Sequence, residues 1–265
     1  MTRSRTRQDW LTALGFGLAL YAAGTACTKK EESAPSAPAP SAPGAATPAA
    51  PGAPAPAANA IKGTVKLNGA APEMKMLKRE ADPYCGRVQM KDEEAIVSPS
   101  GGIKNVLVRL TKGVTGSYPA PSTPAGIDQT DCMFRPRVQG IMAGQPISVR
   151  NGDQTLHNVH TYKGASTIFN QAEIPGLPPM IKKFDGPSSI VKFKCDVHPW
   201  MTGYVAVTDH PFFAVTGDDG SFTIPNVPAG TYTIEAWHER FGTTTADVTV
   251  AKDRPGAVDM TLVAR

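Results

Sequence analysis

The residues best suited to chemistry lie in one short segment, Cys195–Met201. Cys195, His198 and Met201 supply a thiol, an imidazole and a thioether there, and His157 offers a second imidazole upstream. Sulfur ligands combined with imidazole favour copper over magnesium, calcium or manganese. One Cys, two His and one Met therefore predict a single copper ion that cycles between two oxidation states.

The strand before this segment directs its thiol inward. In Val191–Cys195 apolar residues alternate with lysines, so Cys195 belongs to the apolar face. Upstream, His157 and His160 are three residues apart, and an odd separation places them on opposite faces of a strand. We expect only one of these histidines in the site, and we expect His160 beside it or at the surface.

The rest of the pattern predicts an all-β protein. After residue 61 no amphipathic run of helical length occurs, and short alternating or apolar runs are bounded by Gly, Pro, Asn or Asp. The runs predicted as strands before residue 210 are Ile103–Leu110, Pro146–Arg150, Ser189–Cys195 and Tyr204–Thr208. About four more follow at a spacing of roughly 8–12 residues, which is typical of a β-sandwich.

The ligand spacing resembles that of the cupredoxins. C-x-x-H-x-x-M after an alternating strand, with His157-Asn158 on an upstream strand, is most similar to amicyanin-type loops, which also have a proline after the histidine. The similarity spans residues 135–209. It implies a Greek-key cupredoxin β-sandwich that holds one type 1 (blue) copper and performs outer-sphere electron transfer.

The resemblance also implies a role for each site residue. His157, Cys195 and His198 would be equatorial ligands, and Met201 would be the long axial ligand. Asn158 would brace the Cys195 loop by hydrogen bonding, and Pro199 stiffens the loop because its φ is fixed and it has no N–H. The edge of His198, partly exposed in the family, would be the port for electrons. His210 and His238 are expected at the surface or in turns.

The end of the chain resembles a second family. The segment DGSFTIPNVPAGTYTIEAW is similar to the carboxypeptidase-regulatory-like (transthyretin-like) β-sandwich module, which implies a structural or interaction role. We therefore predict a cupredoxin-like copper domain over 61–209, followed by a small transthyretin/Ig-like β module over 210–265. Residues 61–134 should supply the first strands of the copper domain, although 74–100 fit no element. A module of under about 60 residues is marginal alone.

The four cysteines restrict each other's roles. After Cys27, an odd number remains, so one of Cys85, Cys132 and Cys195 stays free in an oxidising compartment. If Cys195 binds metal, Cys85 and Cys132 can form a disulfide. The alternative is a disulfide from one of them to Cys195, which would abolish the copper site.

The N-terminus predicts export. Basic residues precede an apolar run from Leu11 to Gly24, which is shorter than the roughly 20 residues that span a bilayer. Residues 1–26 are predicted to be a signal peptide, and Cys27 resembles the lipidated cysteine of bacterial lipoproteins, although Gly24 stands where that pattern has Leu. Residues 27–60 contain the lipid-anchor Cys and a disordered Pro/Ala-rich linker.

These features define the expected function and its alternatives. We expect no enzyme but an electron carrier in the periplasm or at the cell-envelope surface, with a cytochrome c or a periplasmic dehydrogenase as partner. The membrane would be reached through the lipid only, and a net charge of +4 is too small to indicate nucleic acid. A copper carrier or buffer, a non-redox β-sandwich interaction protein and a multicopper enzyme are the alternatives, and five histidines are too few for the last.

Overall fold

The part of the chain that the structure describes is built from β-strands, with one short helix. The computed structural model describes residues 59–187 and 189–264, so the predicted signal peptide, Cys27 and most of the linker lie outside it. No helix within these residues is long and apolar enough to cross a membrane. The all-β prediction is confirmed.

The elements in chain order are β1 (Ala60–Asn68), α1 (Pro83–Gly86), β2 (Leu107–Lys112), β3 (Ala125–Thr130), β4 (Met133–Arg135), β5 (Val138–Met142), β6 (Pro146–Asn151), β7 (His157–Lys163), β8 (Ser166–Glu173), β9 (Met180–Lys183), β10 (Ser189–Lys194), β11 (Thr202–Thr208), β12 (Phe213–Val215), β13 (Ser221–Pro225), β14 (Gly230–His238), β15 (Gly242–Val250), β16 (Gly256–Ala257) and β17 (Met260–Val263).

One sandwich, which we call the site sandwich, consists of β3 to β11. Its sheets have the strand orders β5-β11-β10-β7-β8 and β4-β3-β6-β9. Side chains from both sheets fill one core, among them Ile127, Phe134, Val149, Val159 and Phe193. On β10 buried and half-buried residues alternate, so the strand ends with its inward face leading to Cys195.

A second sandwich, which we call the tail sandwich, contains the last six strands together with β1 and β2. One sheet places β1 between β13 and the short β16, with β17 continuing along β1, and the other has the order β12-β2-β14-β15. Its separate core includes Ile61, Val108, Phe222 and Ile234.

The placement of β1 and β2 corrects the predicted domain boundary. We expected residues 61–134 to begin the copper domain, but β1 pairs with β13 and β17, and β2 pairs with β12 and β14. The physical reason is the size of the tail. A module of under about 60 residues is marginal alone, and two more strands enlarge its core.

The site sandwich is an insertion in a hairpin of the tail sandwich. Strands β2 and β12 pair antiparallel, with Leu107 opposite Val215, and the chain between them forms the whole site sandwich. The predicted boundary near residue 209 is thus one end of this insertion. The other end lies between β2 and β3.

A buried seam joins the two sandwiches. Leu107 from the tail sandwich forms a small apolar cluster with Val138 and Ala206 from the site sandwich. Beside it Tyr204 contacts Trp237 edge-on, with ring centroids 5.2 Å apart. Trp237 lies on the half-buried face of β14 and packs against this cluster.

The segment between β1 and β2, which contains the unplaced residues 74–100, crosses to the site sandwich. It contains the single turn of α1, which begins at the N-cap residue Asp82. Cys85 in this turn forms a disulfide with Cys132, between β3 and β4. This bond fixes α1 beside the ligand loop.

Candidate metal centre

Three donor atoms predicted from the sequence converge in the site sandwich. His157 begins β7, Cys195 follows β10, and His198 lies in the next loop. The Nδ1 atoms of the two histidines are 2.9 Å apart, and Cys195 Sγ is 3.7 Å from His198 Nδ1. All three donors lie within 4.8 Å of one another, and all three residues are buried.

The ligand loop is closed by its own backbone. The N–H of Cys195 donates to the carbonyl oxygen of Met201 at 3.3 Å, and the N–H of Met201 donates to the carbonyl of His198 at 2.9 Å. These bonds return the chain to β11 and leave Met201 fully buried among the core residues around Cys195. Pro199 is exposed at the tip of the loop.

Asn158 links this loop to β7. Its Oδ1 accepts a hydrogen bond from the N–H of Asp196 at 2.6 Å, and its Nδ2 donates to Asp196 Oδ2 at 2.9 Å. Its backbone N–H points at Cys195 Sγ from 3.5 Å. Asn158 therefore holds both the thiol and the residue that follows it in the loop.

The donor set and its spacing fit one metal ion. Ligand bonds of roughly 2.0–2.3 Å, as in zinc sites, would allow one ion to bridge nitrogens 2.9 Å apart and a sulfur 3.7 Å from one of them. Two other groups of donors also converge, Asp82–Cys85–His198 and Cys132–Asp153–His157. Each includes one half of the disulfide, which has no free thiolate.

Two carboxylates that the sequence analysis missed lie behind the histidines. Asp153 Oδ2 is 2.9 Å from His157 Nε2, and Asp82 Oδ2 is 3.0 Å from His198 Nε2. Asp153 stands four residues before His157, a spacing that could have suggested contact. Asp82 lies far away in sequence, in the segment that fitted no element, and no local pattern indicated it.

The charges of the site are mutually stabilised. Burial by itself would raise the pKa of Cys195, but hydrogen bonds from His157 and the Asn158 N–H outweigh it and lower the pKa of this thiol. Burial opposes protonation of His157, yet its hydrogen bond to Asp153 raises the pKa of this imidazole. Burial lowers the pKa of His198, against the pull of Asp82. Without a metal, the site thus favours a thiolate at Cys195 and a proton on His157, and metal binding would release that proton.

The pKa of Asp82 lies well below that of an ordinary carboxyl group. Burial acts in the opposite direction, but hydrogen bonds from Thr155, the Cys85 N–H and His198 lower the pKa of Asp82 to about 2. Burial likewise opposes ionisation of Asp153, and its bond to His157 lowers the pKa of that carboxyl. Both carboxylates are therefore charged acceptors at neutral pH.

The expected electron port at an exposed His198 edge is wrong. His198 is only 2% exposed, because Asp82 covers its Nε2 and the Trp200 ring lies 5.2 Å from its own. The residues of this loop that do reach the surface are Asp196, Val197, which is 51% exposed, and Pro199. The cause is the segment between β1 and β2, which packs over the histidine.

The remaining histidines lie outside the donor cluster. His160 points away from His157, as the strand parity predicted, and its Nδ1 is 3.0 Å from Asp196 Oδ2. His210 and His238 are buried, at 7% and 2% exposure, so a surface position is wrong for both. His238 nevertheless serves a turn, since its Nδ1 accepts the N–H groups of Arg240 and Phe241.

The three cysteines after Cys27 form one disulfide and leave one free thiol, as their odd number predicted. Cys85 and Cys132 form a disulfide. Cys195 is free and buried. The alternative disulfide to Cys195 is absent among the described residues, and the thiol needed for the site is retained.

Comparisons with known proteins match part of this all-β chain. Residues 204–263 match the family described as carboxypeptidase regulatory-like domain. This range extends from β11 to β17, so the predicted resemblance of the tail to the carboxypeptidase-regulatory-like module is confirmed. The search of curated proteins finds no match.

Cupredoxins are among the similar solved structures. The purple cupredoxin from Nitrosopumilus maritimus is 23% identical over 32% of this chain and 99% of that chain, with a TM-score of 0.28. Amicyanin from Paracoccus versutus is 20% identical over 38% of this chain and 96% of that chain, with a TM-score of 0.29. A copper-containing nitrite reductase from Thermus scotoductus is 18% identical over 38% of this chain and 25% of that chain, with a TM-score of 0.30.

Proposed function

We propose that the chain binds one type 1 copper ion through His157, Cys195, His198 and Met201 and transfers electrons by an outer-sphere route. The observation that carries this proposal is the convergence of a thiol and two imidazole nitrogens in a buried site. Copper, when bound, would supply a one-electron couple. The protein supplies ligands that are fixed before the metal arrives.

Electron transfer suits this site better than catalysis on a substrate. With Met201 as a fourth ligand, the metal would have no open position for a reacting molecule. The four side chains are between 0% and 2% exposed, which also excludes water from the donors. A catalytic copper cluster of the multicopper type would need more histidines than the five present.

Carriage of copper is the second candidate, and the burial of the ligands argues against it. A carrier should release its metal readily, whereas here both histidines are held from behind by carboxylates. The loop that supplies three ligands is also closed by backbone hydrogen bonds. Slow exchange of copper with a chelator would support the electron-transfer proposal.

The partner would dock on the loop surface rather than on the His198 edge. Val197 and Pro199 are exposed next to the buried ligands, and half-buried Trp200 lies beside them. We propose a redox protein as partner, such as a cytochrome c or a periplasmic dehydrogenase, in a small transient interface. Localisation in the periplasm or on the cell envelope, with a lipid on Cys27, belongs to the same proposal.

The test is spectroscopic. Copper(II) is added to the full-length chain and to Cys195→Ser, and visible absorption and EPR spectra are recorded. We expect an intense thiolate-to-copper band with narrow parallel hyperfine splitting in the parent and neither feature in the variant, because both need the Cys195 sulfur. A colourless parent with an ordinary tetragonal EPR spectrum would contradict a type 1 site.

A further inference from the structure

Each histidine of the candidate site has a carboxylate on the side away from the other donors. The Nδ1 atoms face each other at 2.9 Å, so the opposite Nε2 atoms are free to donate. His157 Nε2 lies within hydrogen-bond distance of Asp153, and His198 Nε2 lies within hydrogen-bond distance of Asp82. A carboxylate that accepts from Nε2–H fixes the tautomer whose Nδ1 lone pair points at the metal, and it makes the imidazole a stronger ligand.

Asp153 is itself held in place by the backbone near Cys132. The N–H of Cys132 donates to Asp153 Oδ2 and the N–H of Asp131 donates to Oδ1, both at 2.8 Å. Asp153 is 2% exposed. Its position therefore depends on the chain just after β3.

Asp82 is held in the same way by the backbone near Cys85. Its Oδ1 accepts the N–H groups of Tyr84 at 2.7 Å and Cys85 at 3.1 Å, as an N-cap of α1. Its Oδ2 accepts from the hydroxyl of Thr155 at 2.7 Å as well as from His198. The carboxylate has no freedom to turn without losing several of these bonds.

The two cysteines of one disulfide thus each help to hold the carboxylate that contacts one of the two histidines. Cys85 donates its N–H to the carboxylate on His198, and Cys132 donates its N–H to the carboxylate on His157. The indole N–H of Trp200, on the ligand loop, also donates to the Cys132 carbonyl at 3.0 Å. The covalent bond ties α1 to the β3–β4 turn, and so it keeps both carboxylates at fixed positions.

We infer that Asp82 and Asp153 are positioning residues for the two histidine ligands, and that the Cys85–Cys132 disulfide holds both carboxylates as one brace. The identity of the metal rests on the proposed function, but the brace does not, since it concerns the imidazoles and their partners. With the brace intact, the negative charges favour the higher oxidation state of a bound metal. Without it, the histidines can rotate or change tautomer.

Asp82→Asn is the sharpest variant because the structure dictates its amide orientation. Two backbone N–H groups face Oδ1, so the carbonyl oxygen of asparagine must stay there and its NH2 group must face His198. A donor then replaces an acceptor at Nε2. Asp128→Asn is the matched control, because Asp128 lies on the same sandwich but pairs with exposed Arg150.

The first measurement uses the metal-free, full-length chain. Nitrogen–proton NMR correlations of the imidazoles identify which nitrogen of each histidine carries the proton. We expect His198 to be the Nε2–H tautomer in the parent and in Asp128→Asn, and to lose that proton in Asp82→Asn. Reduction of the disulfide by a phosphine, and the double variant Cys85→Ser with Cys132→Ser, should release both imidazoles into averaged signals.

The second measurement uses the copper-loaded chain. We expect Asp82→Asn to weaken copper(II) binding about tenfold, the usual effect of losing such a partner. If copper(I) binding is unchanged, that factor raises the reduction potential by about 59 mV. Tautomers and copper(II) affinities equal to those of the parent in Asp82→Asn and in the disulfide variant would overturn the inference. A parent without the thiolate band but with the tautomer changes would defeat the copper proposal and leave the brace standing.

Discussion

At the scale of single residues, the site depends on which face of a strand each side chain occupies. His157 enters the donor cluster, while His160, three residues later, turns to Asp196 on the other face of β7. The buried carboxylate of Asp153 is matched by His157 and by two backbone N–H groups. His238 is the contrasting case, since it is buried and the nearby charges of Arg137 and Arg240 oppose its protonation.

A pH dependence follows from the surroundings of His238. Burial, together with Arg137 and Arg240, lowers the pKa of His238 to about 4. An unfolded histidine titrates near ~6.5, so as the pH falls the unfolded chain takes up this proton first. The free energy of unfolding contributed by this group should therefore fall by about 3 kcal/mol between those two values.

Urea titrations of the metal-free chain from pH 7 to pH 4, with His238→Gln as control, would measure this effect. Glutamine can still accept the turn N–H groups but does not titrate. We expect the difference between the two proteins to shrink as the pH falls. Two curves that run parallel throughout would mean that His238 titrates normally in the folded protein.

At the scale of elements, strand β1 decides how the tail sandwich closes. It lies between β13 and the short β16, and it also pairs with β17, although it is the first strand of the described chain. A close approach of backbones occurs at Gly63, where a Cβ would overlap the carbonyl oxygen of Val258. Glycine is required here by space and not by φ.

Gly63→Ala should therefore destabilise the protein, by about 3 kcal/mol if the backbone must shift to relieve the overlap. Gly126→Ala is the matched control, since Gly126 is also a strand residue and no heavy atom lies within 4 Å of its added Cβ. Denaturant unfolding of both variants is the measurement. Equal stability of the two variants would show that β1 does not pack against the tail as described.

At the scale of the whole molecule, the two sandwiches are joined by a buried ion pair. Arg137 Nε donates to Glu239 Oε1 at 2.6 Å, and the two side chains are 4% and 7% exposed. Burial opposes the charge on Arg137, but Glu239 outweighs it and raises the pKa of this guanidinium. The pair connects the start of β5 to the turn after β14, and thus one sandwich to the other.

Glu239→Gln should leave the Arg137 charge uncompensated in the seam and lower the free energy of unfolding by about 3 kcal/mol. Asp128→Asn breaks the exposed Arg150 pair and should have a much smaller effect, because solvent screens that pair. Unfolding is followed by circular dichroism and by tryptophan fluorescence. A loss in Glu239→Gln as small as in the control would mean that water reaches the seam and screens the charge.

The sequence by itself determined the local features of this protein. Strand alternation in β10 predicted that Cys195 points inward, and the separation of His157 from His160 predicted that only one would face the site. The ligand segment contained enough local pattern to indicate a metal-binding loop, and the turn-rich tail contained enough to indicate a β-sandwich module. These are short-range properties, because the period of a strand and the spacing of ligands in one loop depend only on neighbouring residues.

Only the tertiary structure decided which distant segments meet. The pairing of β1 and β2 with the tail depends on hydrogen bonds to strands more than a hundred residues away, and alternation alone does not specify a partner. The contact of Asp82 with His198 likewise spans 116 positions. The burial of His198, and with it the loss of the expected port, follows from that contact. Long-range pairing is set by the packing of complementary surfaces, which a single sequence does not display.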